Sequence, residues 1–280
     1  MCLVVLGRHV DRLKFLEVMF GDQPPLTQAE LIYQRMLARD PVEAAEQARA
    51  FLKEAPLAAY YDEVLLEGLK LAQSDAERGL LDDERMQRIR DAVAEIVDDL
   101  ATHRDKKASE QKTDRNEVEE NSPLAKLEKA EADGEEELLP ERWRTGKPVL
   151  CIPGPSLLDE AAATMTAHLV ERQGIGARAE QADALSMSRI FSWEIQDTAL
   201  ICLCYIEHAT PAQIRYAIRR IRRRAPDVLI LVALFGNTEQ IEGEVEPGTV
   251  FVHQSLREAV EKIVAVASKD QVRPPIPVAA

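Results

Sequence analysis

Glu207 and His208 are the nearest approach to an acid/base pair in this chain, and they are adjacent. Neighbouring side chains do not share a face of a strand or helix, and no serine, cysteine or lysine is placed beside them as a nucleophile. Ser156 stands in Pro153-Gly154-Pro155-Ser156, at the head of a helix, where backbone N–H groups would receive an anion. That turn has neither the G-x-G-x-x-G pattern nor the lysine of a phosphate loop, so the serine reads as a helix cap. Cys202 and Cys204 alternate with Ile201 and Leu203, which puts both thiols on one face of a strand and in the core. Their spacing supplies no further metal ligands. The residues specify no catalytic group, no metal site and no cofactor.

The elements that must position these residues divide the chain in two. Thr27-Gln28-Ala29-Glu30 is a capping box, and Asp40-Pro41-Val42-Glu43 caps a second helix with proline at its first position. A third helix follows Pro56, with Leu57, Tyr61, Val64, Leu65, Gly68 and Ala72 on one face. A fourth follows Asp82, with Met86, Ile89, Val93, Ile96, Val97 and Leu100 as its apolar stripe. Short connections make residues 26–103 a four-helix bundle. Residues 104–142 are rich in Glu, Asp and Lys with isolated apolar positions, the composition of an acidic flexible linker.

Residues 143–268 alternate strand and helix. Apolar runs at 148–152, 177–180, 198–205, 228–234 and 249–253 are separated by helices capped at Ser156, Thr210 and Ser255. The pattern predicts a flavodoxin-like, doubly wound parallel five-stranded sheet, giving an α + α/β chain overall. In the order 2-1-3-4-5 the ligand crevice opens between the first and third strands. The loops that meet there offer Gly154, Ser156, Tyr205, Glu207, His208 and Asn237 as crevice candidates. Between the third and fourth strands, Ile214, Ile218 and Ile221 form a buried stripe, so the arginines of that helix are expected on its solvent face. Arg215, Arg219, Arg222 and Arg223 are candidates for docking a partner or lipid headgroups.

The net charge of −14 and pI near 5.0 exclude non-specific nucleic-acid binding, which needs a positive field. Four cysteines without a regular framework fit a reducing compartment. The apolar start Met1-Cys2-Leu3-Val4-Val5-Leu6-Gly7 is shorter than the roughly 20 residues that cross a bilayer. It reads either as a short buried strand or helix start or as the end of a membrane helix continuing upstream, with Arg8 and Arg12 on the cytoplasmic side. Residues 269–280 read as a flexible tail.

Two resemblances follow from these residues. The order of helical unit, linker and five-stranded sheet resembles the helical cap plus Rossmann-like module of cobalamin-binding proteins. Asp40-Pro41-Val42-Glu43-Ala44-Ala45 through Tyr61-Asp62-Glu63-Val64-Leu65-Leu66-Glu67-Gly68-Leu69 is similar to that cap's second and third helices. The family's D-x-H-x-x-G, whose histidine ligates cobalt, should follow the first strand. Here that position reads Pro153-Gly154-Pro155-Ser156-Leu157-Leu158-Asp159, without a histidine, and Gly236 alone stands where a glycine pair is expected.

Separately, Cys2-Leu3-Val4-Val5-Leu6-Gly7-Arg8-His9-Val10 resembles the end of the last transmembrane segment of the autoinducer-2 exporter family of permeases. Phe15-Leu16-Glu17-Val18-Met19-Phe20-Gly21-Asp22-Gln23-Pro24-Pro25-Leu26-Thr27 resembles the opening of the cytoplasmic extension in some members. The similarity continues through Tyr60-Tyr61-Asp62-Glu63-Val64 and Pro148-Val149-Leu150-Cys151-Ile152-Pro153-Gly154. It implies a regulatory or ligand-sensing part at the cytoplasmic face of the inner membrane. Its partners would be the missing membrane body of the permease and a small-molecule ligand, with room for self-association. The alternative is a free-standing small-molecule or corrinoid-binding module without histidine ligation.

Overall fold

The computed structural model describes residues 26–103, 105, 139–186, 188–189, 197–206, 209–236, 249–253 and 255–270. The crevice candidates Glu207, His208 and Asn237, and the apolar start at 1–25, lie outside these residues. No helix among the described residues is long and apolar enough to cross a membrane.

The helical unit contains α1 (Gln28–Ala38), α2 (Pro41–Phe51), α3 (Leu57–Tyr60), a π-helical segment (Tyr61–Leu66), α4 (Glu67–Glu77) and α5 (Asp83–Asp99). The caps read from sequence are in place. Thr27 Oγ1 accepts from the Glu30 N–H while the Glu30 carboxylate accepts from the Thr27 N–H, and Asp40 and Asp82 cap α2 and α5. The helix expected after Pro56 is continuous from α3 to α4 but widens to π geometry in its middle. That one-turn widening turns Tyr61, Val64, Leu65 and Leu66 together into the core and leaves Asp62 facing the neighbouring domain. π-Bulges of this kind recur at functional positions.

The α/β part begins at Leu139, which is already buried, and α6 (Glu141–Arg144) carries the fully buried Trp143. Trp143 Nε1 donates to Asp270 at 2.9 Å and so joins the domain's first helix to its last. Strands β1 (Val149–Pro153), β2 (Ala177–Ala179), β3 (Leu200–Tyr205), β4 (Leu229–Leu234) and β5 (Val250–His253) form one sheet in the order β2-β1-β3-β4-β5, parallel throughout. This is the predicted doubly wound arrangement. The inner strands are buried at nearly every position, as a sheet covered on both faces requires.

The period-two alternation sorts the sheet's side chains into two cores. Cys151, Cys202, Cys204, Leu231, Ala233 and Val252 face α7 (Leu157–Glu171) and α9 (Leu256–Lys269), and this core runs on without a break into the helical unit. Leu150, Ile152, Ile201, Leu203, Ile230 and Val232 face α8 (Pro211–Arg224) in a separate core with Ile214, Ile218 and Ile221. The layers are therefore α8, the sheet, α7 with α9, and the helical unit packed as a cap on α7 and α9.

Candidate functional site

Three strand ends converge at the carboxyl edge of the sheet: Gly154 after β1, Tyr205–Ile206 at the end of β3, and Phe235–Gly236 after β4. They are closely joined. Gly154 N–H donates to the Cys204 carbonyl at 2.9 Å, and Phe235 N–H donates to the Tyr205 carbonyl at 2.8 Å. A Cβ on Gly154 would stand 2.4 Å from Asp159 Oδ2 and 2.5 Å from Tyr205 Cδ1. A Cβ on Gly236 would stand 2.5 Å from the Ile206 carbonyl oxygen. Both glycines are present because another chain segment lies where a side chain would begin.

Asp159 organises this edge, and it is wholly buried. Its Oδ1 accepts from the Ile206 N–H at 2.6 Å and its Oδ2 from the Ser156 N–H at 3.1 Å. Ser156 Oγ accepts in turn from the Leu158 N–H, which makes the serine the helix cap read from the sequence. Burial, followed by the Asp159 charge, pushes the Tyr205 phenol above its usual range, so Tyr205 is neutral at every physiological pH. The next residue, Glu160, accepts from the Ala182 N–H at 2.7 Å beyond β2 and pairs with Arg90 of α5 at 3.1 Å.

The cap is held at a second point. Asp62 Oδ1 accepts from the Leu256 N–H at 2.6 Å, and Oδ2 accepts from the Ser255 hydroxyl at 2.9 Å and the Arg257 N–H at 3.2 Å. A residue of the π segment thus caps a helix nearly 200 positions away. Burial raises the Asp62 carboxyl's pKa, and the three hydrogen bonds oppose that rise. Deeper in the interface the Tyr61 hydroxyl and His168 Nδ1 lie 2.8 Å apart. Burial, then the nearby Arg172 charge, holds the His168 imidazole below its ordinary pKa, and its Nε2 has no hydrogen-bond partner among the described residues.

The electrostatics of the edge follow. Carboxylates occupy the first turns of α7 and α9, and Thr210 and Gln213 cap each other at the start of α8. The helix dipoles are already satisfied by the chain's own oxygen atoms, which disfavours an anion there. The histidine-ligated corrinoid implied by the cobalamin-module resemblance does not fit: the β1–α7 turn has no histidine, and Asp159 and Tyr205 occupy the space against Gly154.

Of the crevice candidates, the structure brings Gly154 and Tyr205 into contact and sets Ser156 beside them as a half-buried cap. The arginines on α8 divide. Arg219 and Arg223 are exposed, whereas Arg222 Nη1 donates to the Pro226 carbonyl at 3.0 Å and also to the Val228 carbonyl, securing the turn into β4. Arg215 is half-buried. Arg220 departs from the expected solvent face and is buried. It lies beside the apolar stripe, its stem packs inward, and its guanidinium sits over the Tyr216 ring at 5.3 Å and donates to the Tyr216 hydroxyl. Cys202 and Cys204 lie in the core as read, with their sulfurs 3.8 Å apart and Cys204 Sγ 3.7 Å from Thr166 Oγ1. The spacing identifies the Ser156 cap; nothing in the position of Asp159 gives the bond to Ile206.

No protein-family model matches the chain, and no curated protein matches it. Solved structures do. A cobalamin-binding protein from Desulfitobacterium hafniense DCB-2 is similar at 10% identity, with 83% of this chain and 95% of that chain covered and a TM-score of 0.35. The methanol:cobalamin methyltransferase complex MtaBC from Methanosarcina barkeri is similar at 9% identity, with 97% and 98% covered and a TM-score of 0.33. Scores of this size assign neither a ligand nor a role to any residue here.

Proposed function

We propose that this chain is a non-catalytic small-molecule-binding module in which occupancy of the crevice between β1 and β3 is passed to the helical cap. The observation that supports it is the pair of adjacent carboxylates in the first turn of α7. Asp159 is bonded to the end of β3 at Ile206, and Glu160 to Arg90 of the cap. A ligand that shifts the Tyr205–Ile206 segment therefore acts on the same helical turn that holds the cap. Glu207, His208 and Asn237 are the side chains proposed to face that ligand. The narrower reading, a sensory part of an autoinducer-2 exporter family permease at the cytoplasmic membrane face, rests on the sequence resemblance alone. The other named ligand class is a corrinoid held without a histidine.

The test combines thermal unfolding with native mass spectrometry of the whole chain against a panel of neutral and cationic metabolites, hydroxocobalamin included. A ligand at one hundred times its Kd adds about 2.7 kcal/mol. The expected result is a saturable rise in Tm with at least one compound, abolished by Asn237→Ala or His208→Ala, with slower amide exchange in α5. A panel without any shift or retained mass overturns the proposal. Protein left colourless after hydroxocobalamin and desalting removes corrinoids from the ligand class.

A further inference from the structure

Among the described residues, two strongly charged helix faces of opposite sign stand at opposite ends of the layer stack. α8 carries six arginines and no acid, on a chain of net charge −14. Its outward ridge is Tyr216, Arg219 and Arg223, with Tyr216 55% exposed, and Arg224 beside it. Among the described residues Arg223 and Arg224 make no ion pair, and Arg219 makes only a bond to the Arg215 carbonyl within its own helix.

α5 is the complement. Its buried stripe of Ile89, Val93, Ile96 and Val97 packs into the core shared with α7, so its other side faces away from the sheet. That side presents Glu84, Asp91, Glu95, Asp98 and Asp99, relieved by Arg85, Arg88 and Arg90 toward its N-terminal half. Asp98 and Asp99 sit in the last turn, which holds no basic residue, and there the helix dipole disfavours negative charge. Helix propensity gives no reason for acids at that end.

The sheet and the α7–α9 layer separate these faces within one molecule. We propose that they meet between molecules: the Arg219–Arg223 ridge of α8 docks on the Glu95–Asp98 ridge of α5 in a second copy of this chain. Arg219 and Arg223 lie four residues apart, about 6 Å along α8, and Glu95 and Asp98 three apart, about 4.5 Å along α5, so two arginines on long side chains can reach two carboxylates. The contact is head-to-tail, because the two surfaces differ, and it generates closed rings or open chains rather than a two-fold dimer. The net charge of each copy opposes approach, while the local attraction acts within a Debye length of about 8 Å at physiological salt. Association is thus concentration-dependent and is lost at high salt.

Sedimentation velocity of the full chain at increasing concentration tests this. Wild-type protein should form species of two or more copies that disappear in about 1 M salt, where the Debye length is about 3 Å. Arg219→Glu/Arg223→Glu and Glu95→Lys/Asp98→Lys, all at exposed positions, should each be folded by circular dichroism and monomeric. Mixing the two variants should restore association, since each supplies the face reversed in the other. A wild-type monomer at every concentration overturns the proposal, and so does association unmoved by either double variant. Failure of the mixture to associate when both variants are folded overturns it as well. A monomer that instead binds vesicles containing anionic lipid through α8 assigns that face to a membrane surface and overturns the pairing of copies.

Discussion

The Asp159 carboxylate reaches across the opening between β1 and β3 and accepts a 2.6 Å hydrogen bond from the backbone N–H of Ile206. In a doubly wound sheet that opening is the topological switch point, where the chain departs to opposite faces and a crevice is left. Here one buried carboxylate, the Tyr205 ring and Gly154 bring the two sides together. Asp159→Asn keeps the shape but places an amide where one of two N–H donors needs an acceptor. We expect it to lower unfolding free energy by about 1–3 kcal/mol, the cost of one buried donor left unsatisfied. Urea denaturation measures it, and a change below about 0.5 kcal/mol would mean that Asp159 does not hold the edge.

Asp62 makes the corresponding join between cap and α/β domain. Asp62→Ala removes the acceptor for the Leu256 and Arg257 N–H groups and for the Ser255 hydroxyl. Loss of a helix cap costs about 0.5–2 kcal/mol, and the upper end applies to this half-buried site. Amide exchange should also quicken first in α9 and in the π segment. Equal acceleration throughout the chain would show that the contact is not local.

Much of this arrangement was legible beforehand. The caps at Thr27, Ser156 and Thr210 and the five apolar runs follow local rules, and helices and strands form at those places. Alternating strands and helices give a parallel sheet, and its order is that of the flavodoxin-like fold expected for it. What was not legible depends on distant partners. Asp62 lies on the polar side of a helical pattern, and no periodicity shows that α9 will sit beside it. Arg220 looks like its neighbouring arginines in sequence, yet its offset from Ile221 and the Tyr216 ring one turn away bury it. The place of Gly154 after β1 marks it as a crevice residue; its contact with Tyr205 appears only when β1 and β3 pair.

His168 makes the cap–sheet interface sensitive to pH. Its folded-state pKa is depressed from 6.5 by burial, so the unfolded chain takes up the proton first as pH falls. The stability linked to neutral His168 is complete above about pH 6.5 and is lost as pH falls toward the folded value. His168→Gln can still share a hydrogen bond with the Tyr61 hydroxyl, in either direction, without a titrating ring. Its stability should change less than that of wild type between pH 7.5 and 5.5, each compared by urea denaturation. Parallel pH profiles for the two proteins would remove His168 as the source.

The three core cysteines give a separate measure of how tightly β1 and β3 are held. Cys151, Cys202 and Cys204 are fully buried on the face beneath α7. Contact with the Cys151 thiol, contact with the Cys204 thiol and burial together hold the Cys202 thiol well above its usual pKa. Contact with the Cys151 and Cys202 thiols draws the Cys204 thiol below its usual pKa, so it is the lack of solvent access that makes all three slow toward disulfide reagents. In native protein these three should resist labelling by a dithiobis(nitrobenzoate) reagent, whereas all should react in denaturant. Their labelling rate should rise in Asp159→Asn in proportion to the lost unfolding free energy, roughly tenfold for each 1.4 kcal/mol if access requires global opening. Acceleration well beyond that proportion would show that the variant opens the β1–β3 edge locally while the rest of the domain stays folded.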